Sequence, residues 1–397
     1  MSGWKTSSAL FMLSVGLWAV STLAATPGVT DTEIKIGKNA AFSGPASVYG
    51  QISTAESRYF QMINDQGGIN GCKIKLIALD DGYSPPKAIE VVRKLVEDEQ
   101  VAILFQTLGT ASNVAIRKYV NQKKVPDIWI GSGASLFSSS AKDFPWTIQF
   151  QPSYRVEGQM YAKHILKNKP NAKIGILYQN DDLGRDYVAG LKDGLGDKFD
   201  KMVVKSTSYE ITDATIDSQI LDLKSSGADV LYDVSTPKFA AMSIRKTADI
   251  DWHPLHIIDS NGALVKPALE SAGFDKSVGV ISAQYLKDPT DPGWADDPGM
   301  KEFMAWKEKY APEADLSNPV WYYGYTMAQA LVLVLKQAGN DLSRENIMSA
   351  ATHLRDTTTL PLVLPGIKIS TSPTDYQAMK GMRLVQFDGK TFKLLPE

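Results

Sequence analysis

The sequence predicts an α/β protein of two lobes, each built on a parallel-type sheet with helices on both faces. Three observations predict it. Strands and helices alternate from Glu33 to Ile130, the alternation restarts at Lys173, and the chain of 397 residues exceeds what one core usually organises. Strands linked through helices pair in parallel and need cover on both faces. Two such sheets enclose a cleft lined by the loops at the carboxyl ends of their strands.

Each element has a local cause. Glu33 to Ala40 alternates Ile34 and Ile36 on one face and reads as a strand. Gln51 to Asp65 sets Ala55, Tyr59, Met62 and Ile63 on one helical stripe, and Gly67-Gly68 ends it. Lys73 to Leu79 is the second strand. Ser84 caps and Pro85-Pro86 opens a helix carrying Ile89, Val92, Leu95 and Val96. Val101 to Phe105 and Asp127 to Ile130 are strands, with a helix from Ser112 to Asn121 between them. In the second lobe, strands are expected at Lys173 to Tyr178, Met202 to Tyr209, Asp229 to Asp233, His256 to Ile258 and Gly279 to Gln284. Helices are expected at Arg185 to Leu195, Ile216 to Ser225 and Phe239 to Thr247. Beyond Pro289 come two long helices, Met300 to Tyr310 and Val320 to Gln337, then two late strands, Gly366 to Ile369 and Met382 to Phe387.

Residues 1 to 24 read as a cleavable secretory signal peptide. Lys5 precedes the apolar run Ala9 to Val20, small residues follow at Ala24-Ala25, and Thr26-Pro27-Gly28 stops any helix. No later segment has about 18 consecutive apolar residues, so the mature protein is expected to be exported and free of a membrane span. A net charge of -2 without long charged runs argues against nucleic acid or an anionic membrane as partner. The single cysteine, Cys72, excludes an intramolecular disulfide and reads as a partly buried thiol.

Catalytic patterns are missing. Gly131-Ser132-Gly133 begins like a dinucleotide fingerprint, but Leu136 stands where the third glycine belongs. There is no phosphate loop and no G-x-S-x-G elbow. His253 and His256 lack a nearby third ligand, so no metal site is expected. Asp80-Asp81 and Asp181-Asp182 read as solvated loop acids at strand ends. The expectation is a binding protein without a cofactor rather than an enzyme.

Several segments together resemble the periplasmic type I solute-binding proteins, the branched-chain amino acid receptors of ABC importers and their relatives. They are Phe42-Ser43-Gly44-Pro45, Tyr49-Gly50, Asn64 to Gly71, Asp80-Asp81, Leu108-Gly109-Thr110, Val125-Pro126, Gly133-Ala134-Ser135, Tyr178 to Gly184 and Tyr322 to Tyr325. The likeness covers nearly the whole mature chain. It implies two Rossmann-like lobes joined by three hinge crossings, residues 25–149 plus 285–382 forming one and 150–284 plus 383–397 the other. It also implies a periplasmic location, a permease and ATPase complex as partner, and a monomer as the usual form.

Carried over residue by residue, the resemblance makes Tyr49 the aromatic covering the ligand. Leu108, Gly109 and Thr110 match one carboxylate-holding turn, and Ser132, Gly133 and Ser135 lie in the second. Amides at helix N-termini, helped by the helix dipole, favour such an anion. In the second lobe Leu183 and Thr236 fall where amino-acid receptors often place aromatics, and Asn261 falls where they carry an acid for the ammonium. A buried ammonium opposite a neutral amide loses roughly 2–5 kcal/mol. Asp259 is expected to point away by strand alternation. The segments Lys287 to Pro292 and Trp294 to Asp297, with Trp321-Tyr322-Tyr323, look like the branch that binds benzoates and hydroxycinnamates. The expected ligand is therefore a small aromatic acid captured by hinge closure, with a branched-chain amino acid as the alternative. Tyr154 is expected to open the second lobe toward the cleft, with Arg155 beside it.

Overall fold

The computed structural model describes residues 26–355 and 360–396, together with Met1. The rest of the expected signal peptide lies outside the described residues. The first sheet has five strands, β1 (Glu33–Ala40), β2 (Lys73–Asp80), β3 (Ile103–Phe105), β4 (Asp127–Ile130) and β5 (Thr147–Gln149), in the order β2-β1-β3-β4-β5. All its pairings are parallel. Between them run α1 (Gly50–Asp65), α2 (Pro85–Glu97), α3 (Thr110–Gln122) and the single turn α4 (Ser135–Ser139). The apolar stripe of α2 buries Ala88, Val92 and Leu95 against Val101 and Leu104, the contact its sequence period requires.

A helix, α5 (Tyr154–Asn168), leads into the second sheet. Its strands are β6 (Ile174–Gln179), β7 (Val203–Tyr209), β8 (Val230–Val234), β9 (Leu255–Ile258), β10 (Ile281–Gln284), β11 (Arg383–Phe387) and β12 (Phe392–Leu394), ordered β12-β11-β10-β9-β8-β6-β7. The β6 to β10 pairings are parallel, while β11 runs antiparallel to both β10 and β12. The intervening helices are α6 (Asp182–Leu195), α7 (Phe199–Met202), α8 (Asp217–Ser225), α9 (Pro237–Asp249) and α10 (Phe274–Ser277). Helices α5 and α6 touch backbone to backbone. A Cβ on Gly190 would stand 2.2 Å from the Arg155 carbonyl oxygen, so only glycine permits that approach.

After β10 the chain returns to the first lobe as α11 (Pro298–Tyr310), α12 (Val320–Ala338) and α13 (Arg344–Ala351). Phe303, Trp306, Met327 and Leu331 join Ile34, Ile36 and Phe105 in one core. Helix α12 is buried almost all round, as its apolar composition demands, and Gly324 lets it close on α1. The chain thus passes between the lobes three times: after β5, after β10 and before β11.

The element order follows the sequence reading, with ends shifted by one to three residues. One expected strand is corrected: Gly366 to Ile369 forms no strand, and Ile369 makes only an isolated bridge to Met379. Seven elements, α4, β5, α5, α7, α10, α13 and β12, are additions to that reading.

Candidate ligand cleft

The lobes face each other across a cleft of about 950 Å3, counted with the part open to solvent. Its walls come from strand ends. The first lobe presents Tyr49 after β1, Tyr83 after β2, Leu108 to Thr110 after β3 and Gly131 after β4. The second lobe presents Leu183 after β6, Ser260 and Asn261 after β9, and the end of β10. Among the described residues that line the cleft, none is Asp, Glu, Lys, Arg or His. Tyrosines dominate instead. Burial pushes the phenols of Tyr49, Tyr83 and Tyr154 up, so they stay neutral hydrogen-bonding groups.

On the first lobe the Leu108 to Thr110 turn is fixed from behind. Leu108 N–H donates to Asn39 Oδ1 at 3.2 Å, and Asn39 Nδ2 donates to the Leu108 carbonyl at 3.1 Å and to Asp81 at 2.6 Å. Gly109 N–H donates to the Gly131 carbonyl at 3.2 Å. These two amides are therefore occupied. The next residue, Thr110, starts α3, whose N-terminus has no side-chain cap and opens on the cleft. Unsatisfied N–H groups and the dipole make that end attractive to an anion. Gly109 sits at φ 96°, and a Cβ there would come within 3.0 Å of the Tyr83 ring. Tyr83 itself holds φ 61°, an uncommon backbone for a bulky residue, fixed by its N–H on Asp81 at 2.8 Å. A polar chain continues the wall: Tyr323 OH donates to Gln151 Oε1 at 3.0 Å, and Gln151 Nε2 donates to Tyr154 OH at 3.0 Å.

The second-lobe wall hangs from two buried carboxylates. Asp259 accepts the backbone N–H groups of Ser235, Asn261 and Gly262 and the Asn261 amide. Glu157 accepts Tyr161 OH, Tyr187 OH, and both N–H and Oγ of Ser260, all within 2.8 Å. Burial, then Glu157, pushes Asp259 up. Neither carboxylate lines the cleft; they hold Ser260 and Asn261 in place. Tyr49 OH crosses the gap to donate to the Asn261 carbonyl at 3.1 Å.

The structure brings Tyr49, Leu108, Gly109, Thr110, Leu183 and Asn261 to the cleft, as the sequence reading places them. It sets four others off the wall. Ser132 is buried with its Oγ 2.8 Å from Thr110 Oγ1. Gly133 is wedged behind Tyr154, where a Cβ would stand 2.6 Å from the ring. Ser135 turns to the second lobe: its N–H and Oγ donate to Asp186 on α6 at 2.8 and 2.5 Å. Thr236 is buried at the start of α9, its N–H on Tyr209 OH at 3.0 Å. Arg155 pairs outside with Asp193. Asp81, expected in solvent, is buried, and Asp181 caps α6. Cys72 is half-buried. Among the cleft residues missed from sequence are the polar Tyr83, Gln151, Ser260, Ser282, Gln284 and Tyr285.

The fold and cleft together define a two-lobed α/β binding protein. The chain belongs to the Periplasmic binding protein family, whose model matches residues 33–391. It is similar to Leu/Ile/Val-binding protein homolog 7 of Brucella suis biovar 1 (strain 1330), 27% identical over 303 residues and 74% of each chain. Homolog 8 of the same strain is 24% identical, over 99% of this chain and 97% of its own. Among solved structures, a substrate-binding periplasmic protein from Ralstonia solanacearum superposes with a TM-score of 0.81 at 22% identity, covering 91% and 99%. A leucine/isoleucine/valine-binding protein candidate from Rhodopirellula baltica SH 1 gives 0.80 at 21%, covering 94% and 98%.

Proposed function

We propose that this chain is the solute receptor of an ABC importer and captures a small aromatic carboxylate by hinge closure, without chemical change to the ligand. One observation carries the ligand class: the wall is aromatic and free of charge, yet one helix N-terminus opens on it. The carboxylate sits at Thr110 on that end, and tyrosine rings face the body of the ligand. Residues 25–149 with 285–382 move as one body against 150–284 with 383–397. Tyr49, Leu108, Gly109, Thr110, Leu183 and Asn261 contact the ligand, and closure is favoured because it touches both lobes. Export to the periplasm through the N-terminal signal, and delivery to a permease and ATPase, complete the reading.

The names of the relatives favour a second reading, a branched-chain amino acid. It needs a counter-charge for the ammonium. Asn261 supplies only an amide, and Asp259 is taken up by backbone donors behind the wall. A thermal-shift assay separates the two. Benzoate or p-coumarate is expected to raise the melting temperature at millimolar concentration, and leucine to leave it unchanged. The reverse pattern overturns the aromatic-acid reading.

A further inference from the structure

Behind the Leu108 to Thr110 turn, off the cleft, lies a fully buried acid. Asp127 opens β4, Thr107 follows β3, and Asn113 stands on the first turn of α3; they are 0%, 0% and 1% exposed. Thr107 Oγ1 is 2.7 Å from Asn113 Oδ1, and 2.9 and 3.0 Å from the two carboxyl oxygens of Asp127. The Asn113 amide has one possible orientation. Its Nδ2 donates to the Thr107 and Gly109 carbonyls at 2.6 and 2.9 Å, and reversal would set an oxygen against both. Asn113 Oδ1 is therefore an acceptor, and so is every oxygen of an ionised Asp127.

The Thr107 hydroxyl has one hydrogen for these two acceptor groups. Pointed at Asn113, it leaves a carboxylate buried without a donor. Pointed at Asp127, it leaves Asn113 Oδ1 against a bare oxygen. One proton on Asp127 removes the conflict, because Asp127 O–H then donates to Thr107 Oγ1 and Thr107 O–H to Asn113 Oδ1. Among the described residues, no other side chain or backbone N–H donates to the Asp127 carboxyl.

The elements around it bring no opposite charge. Strands β3 and β5 and the turn α4 carry no ionisable side chain. On α3, Arg117 turns to the Leu136 carbonyl and Ser140, Lys118 is exposed, and Tyr119 OH donates to Glu97. On α12, Tyr323 OH donates to Gln106 and Gln151, Tyr325 OH to Glu302, Tyr322 feels Asp288, and Lys336 is exposed. Arg344 of α13 donates to the Val101 and Ala102 carbonyls at the foot of β3. Burial thus dominates and pushes Asp127 from 3.8 up to about 7, against the pull of the Thr107 hydrogen bond.

We propose that Asp127 is a proton-carrying positioning residue whose O–H, relayed through Thr107, lets Asn113 clamp the turn that presents Thr110, so that ligand capture weakens as the proton leaves. Once ionised, Asp127 takes the Thr107 hydrogen in the stronger, charge-assisted bond, and Asn113 Oδ1 loses its donor. The clamp on the Thr107 and Gly109 carbonyls then slackens at the start of α3. The effect on capture rests on the carboxylate reading above; the proton and the clamp do not.

Hydrogen exchange of the amides of residues 107–113 in the full mature chain, corrected for intrinsic rates, tests the clamp at pH 6 and pH 9. Protection is expected to fall about tenfold in the wild type and to change less than about twofold in Asp127→Asn, whose amide N–H replaces the carboxyl O–H. Thr107→Val cuts the relay and should be poorly protected to the same degree at both pH values, which keeps the test open should the buried amide misfold. Infrared difference spectra of wild type against Asp127→Asn should show a protonated carboxyl at pH 6 that is gone at pH 9. A carboxyl already ionised at pH 6, or a pH-dependent loss as large in either variant as in the wild type, overturns the proposal. Benzoate keeps its charge over this range, and its Kd should rise about three- to tenfold from pH 6 to pH 9 in the wild type and stay level in Asp127→Asn. An unchanged Kd in the wild type overturns the link from clamp to capture. Benzoate that binds at neither pH counts against the carboxylate reading, while exchange and infrared still decide the clamp.

Discussion

Replacing Lys38 with methionine is expected to lower the unfolding free energy by about 3–5 kcal/mol at pH 8. Lys38 on β1 and Glu56 on α1 form an ion pair at 2.6 Å with side chains 3% and 0% exposed. Removing the ammonium strands a carboxylate in the core of the first lobe, where one of its oxygens already lacks a partner. The loss should depend on pH in a definite direction. Burial pushes Glu56 from 4.5 up to about 7, against the pull of Lys38. Its folded value lies above its unfolded one, so the folded state holds the proton more tightly. The stabilising contribution is present below about 4.5 and disappears as pH rises through 7. Without Lys38 the carboxyl rises further, so the variant should be nearly unimpaired at pH 5 and fully impaired at pH 8. Urea unfolding at both values measures this, and the Lys38→Met/Glu56→Leu double variant should recover most of the loss. An equal loss at both pH values would show that packing of the lysine stem, not charge, matters.

The alternation of strands and helices was legible because parallel strands are covered on both faces and read as apolar runs. Val230–Val234 is buried at every position, and Ile174–Gln179 at all but one. Helix α5 was not legible for the opposite reason. It buries Glu157, a residue that periodicity assigns to solvent, and the partners that make burial tolerable include Ser260, 103 residues away. Strands of three residues, such as β5 and β12, carry too few side chains to show a period. Gly366 to Ile369 has the composition of a strand but meets no sheet edge.

The cleft followed the same division. Tyr49, Thr110, Leu183 and Asn261 were placed through the resemblance, and they line the cleft because strand ends in two facing α/β sheets converge whatever the side chains are. Ser132 and Ser135 could not, since a serine in a turn looks the same whether its hydroxyl meets a ligand or another residue. Here the partners are Thr110, 22 positions earlier, and Asp186, 51 positions later. Tyr83 escaped notice because its direction depends on a left-handed backbone and on the absence of a side chain at Gly109.

The Ser135 correction leads to a functional expectation. Asp186→Ala should weaken ligand binding by about 2–3 kcal/mol, roughly 30- to 150-fold in apparent Kd, although Asp186 lies off the cleft wall. Asp186 belongs to α6 of the second lobe and Ser135 to α4 of the first, so their two hydrogen bonds form only while the lobes are together. Truncating the carboxylate leaves an N–H and a hydroxyl without partners in the closed form, whereas water satisfies both in the open form. The loss at Ser135 falls on the closed state, and every ligand that requires closure inherits it. Two readouts separate this from a local defect. Small-angle scattering should give a larger radius of gyration for the variant without ligand and a nearly unchanged one at saturating ligand. Ser135→Ala should cost less than Asp186→Ala, because the backbone N–H keeps its acceptor, and combining the two should add little to Asp186→Ala. Unchanged affinity with an unchanged radius would mean that Tyr49 and Lys266 hold the lobes together without help from this bridge.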